Sequence, residues 1–111
     1  MNISTESKNE ITVARLEGRL DAAAVRNHRD ELKKATEGLD KWMVLNMDKV
    51  DFIDSSGLGL IVSLVRNARE NSADVAISNL SPQAQTLFEL TRMTRIFSIY
   101  ADENAALEAL S

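Results

Sequence analysis

Apolar positions along the chain switch between two periods, and the switches mark its elements. ITVARLEGRL, from Ile11 to Leu20, mixes β-branched and apolar residues with polar ones and reads as a strand. Ile3 to Thr5 predicts a hairpin partner across a polar turn at Glu6 to Glu10. Asp21 opens a helix in which Ala22 to Ala24 favour helical backbone, Val25, His28, Leu32 and Ala35 recur at helical spacing, and Gly38 ends the run. Trp42 to Leu45 (WMVL), extended by Met47, is a short continuous apolar run, the pattern of a strand covered on both faces. A polar stretch carrying Val50, Phe52 and Ile53 follows, and then a second helix from Ser55 to near Asn71, with Leu58, Ile61, Val62 and Val65 as its inward stripe. Asp74 to Ser78 (DVAIS) predicts another strand. Ser81-Pro82 predicts a helix start, serine as cap and proline in the first position, with Ala84, Leu87 and Phe88 turned inward. Ile96 to Tyr100 (IFSIY) predicts a last strand, and Asp102 caps a final helix carrying Ala106, Leu107 and Leu110.

The order is therefore β-β-α-β-α-β-α-β-α. It predicts an α/β fold with a mostly parallel central sheet of about four to five strands packed by about four helices, joined by right-handed crossovers. A chain of 111 residues suits a single domain, residues 1–111, large enough for a core without staples. One proline and four glycines imply short loops, and there is no internal repeat or low-complexity linker.

Composition narrows the function classes. Apolar residues make up 44% and charged residues 27%, ordinary values for a soluble globular protein. The net charge is −4 with the signs interspersed, so no basic patch is visible along the chain. Direct binding to nucleic acid or to an anionic membrane surface is not expected. The absence of cysteine excludes disulfides, thiol catalysis and cysteine-based metal sites. The polar start, Met1 to Glu10, has no signal-peptide pattern, and the longest apolar-rich run, Leu58 to Val65, is far too short to span a bilayer; a cytoplasmic location is expected.

Most of the chemical information lies in DFIDSSGLGL, Asp51 to Leu60. A strand ends, the chain turns, and Ser55 and Ser56 sit between Asp54 and Gly57 at the mouth of a helix. Free backbone N–H groups and the positive end of the helix dipole point at these hydroxyls. One reading is a plain helix cap made by Asp54 and Ser55. The other is an exposed hydroxyl that accepts a phosphate, which the dipole tolerates and which adds about two negative charges beside Asp54.

DFIDSSGLGLIVSLVRNAR, Asp51 to Arg69, closely resembles the signature of STAS domains, the sulfate-transporter and anti-sigma-factor-antagonist family. GRLDAAAV, Gly18 to Val25, looks like that family's G-x-L-D element, and SPQAQTLFEL and IFSIYADENAALEAL fit its later elements, so the resemblance covers nearly the whole chain. It implies a STAS fold and a partner-switching antagonist rather than an enzyme. Ser55 is then the kinase target, Ser56 the lesser candidate, and Asp21, Asp54, Ser56 and Gly57 flank the site. The implied partners are an anti-sigma factor that is itself a serine kinase, bound by the unphosphorylated form so that a sigma factor or other target is released, and a metal-dependent serine phosphatase that restores the complex. No cofactor or bound metal is implied, and a monomer or weak homodimer is expected. Two positions depart from the family pattern: Arg19 stands where many antagonists have glutamate, and Arg92 where many have glycine.

Other residues carry weaker signals. Leu60 and Leu64 lie one turn apart off the inward stripe of the second helix; they either join the core or, with Leu58 and Gly59, form an apolar partner interface beside Ser55. His28 is a lone histidine on an apolar stripe, with no second histidine to build a zinc site or catalytic pair. Asp48, Asp51 and Asp54 recur every third residue; local hydrogen bonds at a turn are favoured over Mg²⁺ binding. A small-molecule or nucleotide sensor is the alternative function, although no phosphate-cradling glycine loop supports it. An aspartyl-phosphate receiver would need a lysine after the last strand, and none follows Tyr100.

Overall fold

Five strands form one sheet in the order β1-β2-β3-β4-β5. The computed structural model describes residues 1–111: β1 (Asn2–Lys8), β2 (Ile11–Leu20), α1 (Ala22–Glu37), β3 (Trp42–Ile53), α2 (Ser55–Glu70), β4 (Asp74–Ser78), α3 (Pro82–Leu90), a 3₁₀ turn (Met93–Arg95), β5 (Ser98–Tyr100) and α4 (Glu103–Leu110). β1 pairs antiparallel with β2, and the remaining neighbours are parallel. The element order is the one the hydrophobic pattern predicts.

The elements whose boundaries differ have identifiable causes. β1 runs the full length Asn2–Lys8 because the hairpin closes on only Asn9 and Glu10. Both take positive φ, 52° and 68°, the handedness that matches twisted strands. β3 does not stop at Met47. β2 keeps pairing past two register shifts, to Leu20 opposite Ile53, and so carries the polar stretch with Val50, Phe52 and Ile53 into the sheet. Gly18, at φ 111° by the second shift, supplies a backbone that other residues resist. The last strand is shorter than predicted: Phe97 is buried, but Ile96 ends the 3₁₀ turn and is 41% exposed. Arg92 enters that turn at φ 60°, a left-handed geometry that glycine adopts more cheaply.

The sheet is covered on both faces. Met43, Leu45 and Met47 of β3 join Leu16, Val75 and Ile77 in a large cluster sealed by Val25 and Leu32 of α1, the inward side of α2, and Phe88 of α3. Val44 turns the other way, with Ile11, Val13 and Ala76, against Ala106 of α4. This explains the unbroken WMVL run. Phe88 is fully buried, and Trp42 packs half-buried against the smaller cluster.

A charged lattice holds α4 in place. Glu103 accepts Arg15 Nε and Nη2, both at 3.0 Å, Asn46 Nδ2 at 3.0 Å and Lys8 Nζ at 3.3 Å. Arg15 Nη1 also donates to Glu6 at 2.8 Å. One carboxylate thus ties β1, β2 and β3 to α4, and the fork of Arg15 gives the pair a fixed geometry. The Arg15 hydrogen bonds, with those of Asn46 and Lys8, pull the Glu103 carboxyl from 4.5 down to about 2 despite partial desolvation.

Glu103→Gln should lower unfolding free energy at neutral pH by about 1–2 kcal/mol, the lower part of the roughly 1.5–3 kcal/mol expected of hydrogen bonds to a charged group once screening at a partly solvated site is allowed for. The folded pKa lies below the unfolded one, so the carboxylate's contribution is full above pH 4.5 and is lost as pH falls toward about 2. Urea titrations across that interval should show the gap between wild type and variant closing; a gap that stays constant would remove the lattice as its source.

Candidate functional site

Two parallel strands ending side by side build the site. Leu20 of β2 is in register with Ile53 of β3, so the next residues, Asp21 and Asp54, emerge as neighbours. Their backbones are nearly the same, φ −114° and ψ −173° for Asp21, φ −113° and ψ −173° for Asp54. Each caps the helix that follows: Asp21 accepts the Ala24 N–H at 3.1 Å, and Asp54 accepts the Gly57 N–H at 3.0 Å. The Asp54 N–H donates to the Leu20 carbonyl at 3.4 Å and joins the two turns. The Ala24 N–H, and after it the Arg19 guanidinium, holds the Asp21 carboxyl below the usual carboxylate range.

Asp54 alone caps α2. Ser55 and Ser56 are the first two residues of the helix, and both are exposed. Ser81 shows the contrast, since its Oγ is occupied by the Ala84 N–H. The plain cap therefore accounts for Asp54 but leaves the hydroxyl of Ser55 unspent. The amides of Ser55 and Ser56 precede any intrahelical acceptor and point out with the helix dipole.

Gly57 lets the two strand ends come this close. A Cβ on Gly57 would lie 2.2 Å from the Leu20 carbonyl oxygen and 2.8 Å from Leu20 Cγ. At Gly59 the same atom would meet nothing within 4 Å. The leucines between and beyond them are core. Leu58, Leu60 and Leu64 are 6%, 2% and 1% exposed, so of the two alternatives they take the core and do not form an apolar partner interface beside Ser55. Two successive leucine turns reach the sheet because α2 is flanked by α1 as well as by β3 and β4, which widens its buried side. Gly59 is the one interface candidate that faces solvent.

Two neighbours were not legible as site residues. Gln83 of α3 receives the Ile53 N–H at 3.3 Å and donates to the Ile53 carbonyl at 3.1 Å. β4 ends too early to pair with Ile53, and this side-chain amide stands in for a strand. A glutamine in the first turn of a helix carries no pattern that would announce this. Arg19 lies with its guanidinium 4.2 Å over the Phe52 ring and its Nε 3.4 Å from Asp21, so a cation borders the first of the two aspartates.

The remaining candidates lie elsewhere. Asp48 and Asp51 sit within β3, not in a turn, and are exposed. No three His, Cys, Asp or Glu side chains are placed to hold a metal ion. His28 is half-buried on α1, its Nδ1 3.2 Å from Glu31.

The chain and its fold have known counterparts. A model of the family described as STAS domain matches residues 2–106. An anti-sigma F factor antagonist of Paenibacillus polymyxa is 27% identical to the chain, covering 99% of it and 95% of that relative. The structure of the anti-sigma factor antagonist SpoIIAA in its unphosphorylated form superposes with a TM-score of 0.81 at 26% identity, covering 98% of this chain and 96% of that one. The phosphorylated form of SpoIIAA, a Bacillus cell fate determinant, gives a TM-score of 0.75 at 26% identity, covering 99% and 100%.

The two glycines should respond in opposite directions. Gly57→Ala should destabilise by about 1–3 kcal/mol or prevent folding, because it drives a methyl group into the Leu20 backbone. Gly59→Ala should stabilise by about 0.5–1 kcal/mol, the gain from removing an exposed mid-helix glycine. Thermal melts of both variants test the pair, and equal shifts would refute the close approach at Gly57.

Proposed function

The chain belongs to the STAS domain family, and on that footing we propose that it is a phosphoregulated protein-interaction switch of the anti-sigma-factor-antagonist type. In this reading the unphosphorylated form binds an anti-sigma factor that is itself a serine kinase, and so releases a sigma factor or other target. Phosphorylation of Ser55 breaks that complex, and a metal-dependent serine phosphatase resets it. The protein acts in the cytoplasm by binding, as a monomer or weak homodimer, and performs no chemistry of its own. No helix is long and apolar enough to cross a membrane.

One observation carries the reading: Ser55 is exposed at the first position of α2 while Asp54 does the capping. A phosphate there would meet the free amides of Ser55 and Ser56 and the positive helix end, so the fold would survive it. It would also place about two negative charges beside Asp54 and its neighbour Asp21. A partner that accommodates the neutral hydroxyl would then face repulsion and the cost of desolvating the phosphate.

Ser55→Ala should keep the complex with the switch kinase, while Ser55→Asp should weaken it by roughly tenfold or more, about 1.4 kcal/mol at least. Mass spectrometry of protein from its native cells should find kinase-dependent phosphate on Ser55. Phosphate on Ser56 alone would move the site, and equal binding by both variants would sink the switch.

A further inference from the structure

We propose that the outward face of α2, from its middle to its C-terminal end, is a docking groove for an acidic amphipathic segment of a protein partner. The proposal extends the switch reading above, because the groove lies on the same helical stripe as Ser55. Ser55, Gly59, Val62, Arg66 and Arg69 recur at helical spacing, Val62 being half-buried at the edge of the stripe rather than inward as its spacing predicts, and Arg66 lies about 16 Å along the axis from Ser55.

Two adjoining depressions make the groove. The first, of about 360 Å³, runs between α1 and α2 and is lined by no hydrophobic residue: Arg29 and Lys33 on one wall, Ser63, Arg66, Asn67 and Glu70 on the other. The second, of about 440 Å³, continues over α2, with Val62, Val65 and Ile96 beneath Arg66, Arg69 and Glu70. Arg66 and Glu70 belong to both, so a basic stretch passes directly into an apolar one.

The cations are available. Arg29, Lys33 and Arg66 make no ion pair, whereas Arg69 is engaged by Asp74 and the Ile96 carbonyl, each at 3.2 Å. The walls are held apart at a fixed spacing: Asn67 Nδ2 donates to Thr36 Oγ1 at 2.6 Å and to the Lys33 carbonyl at 3.3 Å, stapling α2 to α1. A chain of net charge −4 thus concentrates three unpaired cations against a single carboxylate on one preformed surface. This patch is absent from the linear charge pattern, because Arg29 and Lys33 meet Arg66 only when α1 packs on α2. Ile96 is one of only two large hydrophobic residues exposed on the molecule, and here it floors a groove rimmed by arginine. Cations beside apolar floor are the complement of a segment with carboxylates on one side and aliphatic side chains on the other.

The test uses the full chain, ¹⁵N-labelled, and a short helical peptide of leucine and glutamate as probe, so it does not depend on the identity of the partner. Shifts confined to the amides around Arg29, Lys33, Val62, Arg66 and Ile96 are expected, with affinity falling as salt rises. Lys33→Glu/Arg66→Glu should lose roughly tenfold in affinity while its circular dichroism and melting stay unchanged. Equal binding of a leucine–lysine peptide, undiminished binding by the double variant, or shifts centred elsewhere would overturn the proposal. The same shifts with pyrophosphate at similar affinity would also overturn it, in favour of a small-anion site. A pull-down in which Ser55→Asp and Ser55→Ala bind the kinase equally, with peptide binding intact, would refute the phosphoswitch and leave the groove standing.

Discussion

The parallel pairing of β2 with β3, carried through to Leu20 and Ile53, is the constraint from which the other features of the site follow. It is maintained across two register shifts, and it brings two strand ends and two helix starts together within one turn of chain. A hydrogen bond from the Asp54 N–H to the Leu20 carbonyl closes the contact, and only a residue without a side chain fits at Gly57. Gln83 supports β3 from the other side, where β4 has already ended. Ser55 is exposed because this arrangement turns α2 outward at its first residue.

Around that point the two faces of the sheet divide the work. One face carries the large core, with α1, α2 and α3 packed on it mainly by apolar contact and pinned at the edges by the Gln83 and Asn67 side chains. The other carries a small apolar cluster and the Glu103 lattice, which fastens a helix of 8 residues too short to hold by burial alone. Burial is nondirectional, whereas the forked Arg15–Glu103 pair fixes where α4 sits. The proposed switch lies on the apolar-packed side, where α2 presents Ser55 at one end and the basic groove at the other.

Much of the fold was legible because period and punctuation are local. ITVARLEGRL and DVAIS are strands to the residue, and Asp21, Asp54, Ser81 and Asp102 each cap the helix assigned to them. The mistakes came where a partner element overrode the local pattern. The stretch from Asp48 to Ile53 looks polar, yet it is strand because β2 is long enough to pair with it. Leu60 and Leu64, off the inward stripe and open to either reading, are core because a neighbouring helix closes over that side.

The sequence by itself determined the α/β class, the element order, the capping residues and the pair of serines at a helix start, because each depends on spacing within a few residues. Only the tertiary structure decided that Asp54 caps α2 and leaves both serine hydroxyls exposed, why Gly57 admits no side chain, that Gln83 completes the end of β3, and that Arg29, Lys33 and Arg66 share one groove. Each of these joins residues far apart in the chain, and no periodicity records a contact made across a sheet or between two helices.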